Sequence, residues 1–110
     1  MIHLLSALLL ANVTFSAPQP VSVSHYGSEY VGLPMYSGRL YDPTEPVCAS
    51  NDWPIGAVLV VAYQGNAAVC VVQDRMRDGG NLDMTPAGFA RLAPLSRGRV
   101  DATAWEVNRW

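Results

Sequence analysis

The sequence predicts a small, mainly β domain closed into a barrel of about six strands, with one short helix. Three observations carry this reading. The runs 57–63 and 67–73 are apolar at nearly every position, as strands are when they are buried on both faces or lie in a small closed barrel. Thr85-Pro86 has the residue types of a helix start, a hydroxyl N-cap followed by proline at the first helical position. Between 28 and 46 stand Gly32, Pro34, Gly38, Pro43 and Pro46, a spacing that no long helix survives.

The elements follow in chain order. Residues 2–11 form an apolar run, too short for a bilayer, which needs roughly 20 residues, and of the length of a secretory h-region. Residues 1–16 are therefore expected to be a signal peptide, with Thr14 and Ser16 as the small residues before a cut at Ala17. The n-region lacks Lys and Arg, and the competing reading is a retained anchor or a buried helix. Residues 17–21, rich in proline, read as a linker, and 22–110 as the barrel domain. Val21 to Tyr26 alternates apolar and polar and stops at Gly27, the pattern of a half-buried strand. The excursion 28–46 is expected to be irregular and extended. Trp53-Pro54-Ile55-Gly56 is a turn into the first apolar strand, and Gln64-Gly65-Asn66 joins it to the second, with Gly65 and Asn66 able to take positive φ. A polar loop follows from Asp74 to Asn81, then a short extended piece, Leu82-Asp83-Met84, and the capped helix, which Pro94 ends. Alternation returns over 99–107 for the last strand.

Composition narrows function. Half the residues are hydrophobic and 15% charged, so the chain is globular; the net charge is -2, and all seven basic residues are Arg without clustering. A nucleic-acid partner, which needs a basic face, is not expected. Cys48 and Cys70 are two cysteines behind an export signal. They read as one disulfide in an oxidising compartment, with two buried thiols as the alternative. No metal site is expected, because no second cysteine pair exists and only His3 and His25 could assist; no cofactor is expected either.

Five short motifs occur in an order that resembles the rare-lipoprotein-A family. Ser24-His25-Tyr26-Gly27 is similar to the Ser-x-Tyr-Gly that opens its domain. Tyr36-Ser37-Gly38-Arg39-Leu40-Tyr41-Asp42-Pro43 is similar to its Ala-Ser-Gly-Glu-x-Tyr-Asp-Pro segment. The stretch from Cys48 to Gly56 resembles the one ending Leu-Pro-x-Gly. Val71-Val72-Gln73-Asp74-Arg75 resembles Val-x-Val-Asn-Asp-Arg, and Leu82-Asp83-Met84-Thr85 the Asp-Leu-Ser before a short helix. Expansins and barwin-like proteins are similar at the same places.

The resemblance implies a six-stranded double-psi β-barrel and chemistry on polysaccharide. Its first implication is an exported peptidoglycan lytic transglycosylase that cleaves glycan strands. Asp74 would be the general acid at the barrel mouth and Asp83 a second carboxyl in the same groove, since desolvation there lifts a carboxyl's pKa. Tyr26, Tyr36, Ser37, Ser50 and Arg75 are the implied substrate-binding residues, the aromatic faces being suited to sugar rings. Departures weigh against catalysis: the family's Glu is Arg39 here, its His is Ser50, and its Gly-Pro is Met76-Arg77. The alternatives are a non-catalytic expansin-like polysaccharide binder or wall-loosening protein, and a structural barrel module of a secreted or phage assembly. The expected partner is peptidoglycan glycan. The expected form is a monomer without stable membrane insertion after signal cleavage, in the periplasm, cell envelope or outside the cell.

Overall fold

The computed structural model describes residues 13–77 and 81–109. The expected signal peptide thus lies mostly outside the described residues, which hold no helix long and apolar enough to cross a membrane. The strands are β1 (Val13–Phe15), β2 (Gln19–His25), β3 (Val47–Ala49), β4 (Val58–Tyr63), β5 (Asn66–Asp74), β6 (Leu82–Met84) and β7 (Val100–Arg109), with one helix, α1 (Pro86–Ala90), between β6 and β7. Two single 3-10 turns, Ser28–Tyr30 and Leu95–Arg97, complete the elements.

Six of the strands close into a ring, in the order β7-β2-β6-β3-β5-β4 and back to β7. The pairs β2–β6 and β3–β5 are parallel and the others antiparallel. A parallel pair cannot be joined by a hairpin and needs a crossover; two such pairs in one small ring are the double-psi arrangement. β1 lies outside the ring, paired only with the far end of β7, Val13 opposite Arg109.

β2 begins two residues before the expected strand, so the expected linker shortens to Ala17 and Pro18. Pro20 is accommodated because of where its nitrogen points. The Ser22 amide, on the same side, turns away from β7 to the Asn81 side chain, and β6 pairs only with Val23 and beyond. The missing N–H of Pro20 therefore faces away from β7, and no β2–β7 ladder hydrogen bond is lost.

The β4–β5 hairpin is as tight as expected, but its turn residues are Gln64 and Gly65, at φ 47° and 84°. Asn66 is already in the ladder opposite Tyr63. Positive φ at both central residues matches the right-handed strand twist.

Alternation places Val21 and Val23 of β2, Leu59 and Val61 of β4, Ala68, Cys70 and Val72 of β5, and Val100, Ala102 and Ala104 of β7 in one core, with Trp53 closing one end. Cys48 and Cys70 are bonded inside it, Cα atoms 5.7 Å apart, linking the parallel neighbours β3 and β5. Helix α1 is capped by the Thr85 hydroxyl, which accepts from the Gly88 amide at 3.0 Å, and it buries Phe89 against the core, with Leu92 just beyond its end. A second, smaller cluster of Tyr26, Met35, Tyr41, Val47 and Ala49 fastens the excursion over one end of the barrel. That end holds the site.

Candidate functional site

Ala49 is the register partner of two aspartates, Asp74 on β5 at one side and Asp83 on β6 at the other. The two carboxyl-bearing residues are thus two strand spacings apart, about 10 Å between Cα atoms. The register shifts here: Cys48 pairs with Val72 but Ala49 with Asp74, so Gln73 is an extra residue on β5, as at bulges beside sites. Both aspartates line one cavity of about 500 Å³, with Ala49 between them. The excursion contributes Tyr30, Leu33 and Pro34 to its wall, and β2 and the segments after β5 contribute Ser24, His25, Tyr26, Arg75 and Arg77.

The two carboxyls differ in their surroundings. Asp74 accepts three hydrogen bonds: from the Tyr26 hydroxyl at 2.9 Å on Oδ2, and from the amides of Tyr36 and Arg75, each at 2.9 Å, on Oδ1. It joins the excursion to the barrel. Asp83 accepts one, from the Ser24 hydroxyl at 3.0 Å, across the parallel β2–β6 register. Burial raises the pKa of Asp83, and the negative charge of Asp74 adds to this; the Ser24 hydrogen bond and the positive charges of His25 and Arg99 oppose it. Burial thus acts on Asp83, to which the resemblance gave only the place of a second carboxyl in the groove.

Tyr26 lines the cavity but is only 5% exposed. Its ring stacks on Tyr41 with centroids 4.5 Å apart. Burial, and next the Asp74 hydrogen bond, push its pKa far above the ordinary phenol range. It offers a sugar ring little free face. Tyr36 is the opposite, 71% exposed, outside the cavity wall, with the Arg75 guanidinium 5.4 Å over its ring. Ser37 is on the surface beside it; its amide donates to the Gln73 carbonyl and its hydroxyl accepts from the Arg39 amide.

Two of the implied binding residues, Ser50 and Arg75, are tied into the framework. Ser50 is wholly buried: its amide donates to the Asp74 carbonyl, its hydroxyl accepts from the Asp52 amide, and its carbonyl accepts from Arg75. Each polar group of Ser50 thus already has one intramolecular partner. The Arg75 Nη1 donates to the carbonyls of Ser50 and Trp53, at 2.8 and 2.6 Å, because the chain turns back there and leaves carbonyls without strand partners. Arg39 forms an exposed ion pair with Glu45 at 2.6 Å.

Sequence reasoning passed over Ser24, His25 and Arg99. Ser24 lies in the quoted Ser-His-Tyr-Gly motif, which was the available signal. His25 is half-buried, edge-on to Phe89 at 5.0 Å, and lines the cavity. Arg99 arrives from the far end of the chain and carries no local signal.

The ring, its two parallel pairs and the cavity across β5, β3 and β6 define a small disulfide-bonded double-psi barrel. No family model matches the chain. It is 30% identical over 81 residues to the uncharacterized protein ssl3177 of Synechocystis sp., a span covering 72% of this chain and 88% of that protein; the chain belongs to that protein's family. Among solved structures, the Streptomyces papain inhibitor superposes with a TM-score of 0.69 at 24% identity, covering 86% of this chain and 97% of that one. Cerato-platanin 2 from M. perniciosa gives 0.59 at 14% identity, covering 83% and 96%. Likeness at such identities shows the fold.

Proposed function

We propose that the protein is an exported, non-catalytic barrel that binds cell-wall polysaccharide, with peptidoglycan glycan as the expected ligand, in the manner the expansin-like alternative describes. The observation that carries this reading is the state of Asp74. Both of its oxygens are engaged by intramolecular donors, so the residue at the motif's aspartate position builds the cavity wall and is not free to protonate a leaving group. The replacement of the family's Glu and His by Arg39 and a buried Ser50 points the same way. A solved structure of similar fold is named an inhibitor, which supports use of this barrel for binding. Export is supported by the disulfide and by the apolar run at 2–11. Loss of residues 1–16 leaves the ring intact, because β1 takes no part in its closure.

A second reading rests on Asp83. Its raised pKa and its place in the cavity suit a general acid, and a lytic transglycosylase needs one. The test is incubation with purified peptidoglycan sacculi and with stem-peptide-free glycan strands, followed by sedimentation and by chromatography of soluble products. Co-sedimentation without anhydro-ended products supports the binder. Anhydro products that disappear with Asp83→Asn establish the enzyme. Neither binding nor products, on either substrate, sinks both.

A further inference from the structure

A second groove, of about 610 Å³, lies away from the aspartate cavity and shares no lining residue with it. Its walls are the 43–47 segment and helix α1 with Arg91, and its floor is the outer part of β5, from Ala67 to Cys70. β3 joins β5 only from Val71 onward. Ahead of that point the chain bends away, the Val47 amide donating to the Glu45 carbonyl. Over Ala67–Cys70, therefore, no described strand pairs with β5 on the side opposite β4.

The groups exposed along that edge follow from the alternation of an antiparallel ladder. The Val72 amide donates towards β4, to the Ala57 carbonyl, and the Val71 amide donates the other way, to the Pro46 carbonyl. Val69 and Ala67 share the parity of Val71. Their amides and carbonyls point into the groove, spaced by the two-residue repeat of a strand, about 7 Å. The open edge runs from the Asn66 side chain, bonded to the Leu92 carbonyl, to the Val71–Pro46 bond, about 13 Å or four residues of extended chain. Val69 is 52% exposed beside it. The acid of the groove, Glu45, is paired with Arg39. Arg91 has no carboxylate partner among the described residues, which leaves one uncompensated positive charge at the helix side.

We propose that this edge takes up an extended peptide segment, which adds a short strand to β5 through Ala67 and Val69 and sets an acidic side chain against Arg91. The alternating donors and acceptors match a peptide backbone, the mode of strand addition to an open sheet edge, and the lone arginine selects a carboxylate.

The probe is an acetylated pentapeptide of alternating threonine and valine ending in aspartate, titrated into the 15N-labelled protein. Saturable shifts confined to Ala67, Val69 and Arg91 are expected, with slowed hydrogen exchange of the Ala67 and Val69 amides. Arg91→Glu, a surface change, should weaken binding about two- to fivefold. Methylation of the peptide's backbone nitrogens should abolish binding, and Asp83→Asn should leave it unchanged. Absence of saturable shifts, shifts centred on the aspartate cavity, or equal binding of the methylated peptide would each overturn the proposal.

Discussion

The Tyr26 hydroxyl donates to Oδ2 of Asp74 at 2.9 Å while the Tyr26 ring stacks on Tyr41. One side chain thereby ties β2, the end of β5 and the excursion together. Tyr26→Phe keeps the stacking and removes only the donor, leaving a half-buried carboxylate oxygen short of one partner. A loss of about 1–2 kcal/mol in urea denaturation is expected. Asp74→Ala, which releases three donors at once, should cost more, about 3 kcal/mol. Equal stability of both variants and the wild type would show that these bonds do not hold the excursion.

Tyr41 behaves differently. Its hydroxyl is buried and has no hydrogen-bond partner among the described residues. Removing an unpaired buried polar atom relieves its desolvation. Tyr41→Phe is therefore expected to be neutral or to raise the melting temperature, and a clear fall would mean that the hydroxyl has a partner after all.

The pH dependence expected of Asp83 follows from its raised pKa. A carboxyl whose pKa is higher folded than unfolded binds its proton more tightly in the folded state, so it disfavours folding when ionised. The penalty is present above the folded pKa and fades as pH falls towards the unfolded carboxylate value. Asp83→Asn, which retains an oxygen for Ser24, should thus be more stable than the wild type near neutrality, with the difference closing in acid. Melting curves at several pH values test this, and a variant less stable at neutral pH would contradict it. Ser24→Ala removes a bond that opposes the shift and should raise the Asp83 titration further, as read by carbon-13 NMR.

Cys48 and Cys70 are 22 positions apart in sequence. Closing a loop of that length in the unfolded chain stabilises the fold by about 3 kcal/mol. Denaturation with and without dithiothreitol, or of the Cys48→Ala/Cys70→Ala variant, should show a loss of that size.

Much of the barrel was legible because its signals are local. The apolar runs gave β4 and β5, and Thr85-Pro86 gave the helix start, since both depend on neighbours in sequence. The hairpin turn missed by one residue: Asn66 tolerates positive φ better than Gln64, yet the cross-strand register put Gln64 there. Asp74 and Asp83, singled out by motif, line one cavity. Their unlike surroundings were not legible. Whether a carboxyl is covered by donors or left to desolvation depends on the Ser24–Asp83 register and on where the excursion lands, which are contacts between distant segments. The burial of Ser50 was not legible for the same reason, as it lies in the turn that Arg75 clamps.

The ring closes only through β7, which lies between β4 and β2 and is the last strand of the order. Residues 100–107 must therefore be present before either neighbour is covered. A ribosome-bound chain that lacks them cannot complete the barrel. With its decisive pairings this far apart along the chain, the barrel cannot close from local contacts alone. Under the export proposed above, a chain that has not yet delivered residues 100–107 meets a translocation channel with no closed barrel to unfold, and its cysteines oxidise on the far side.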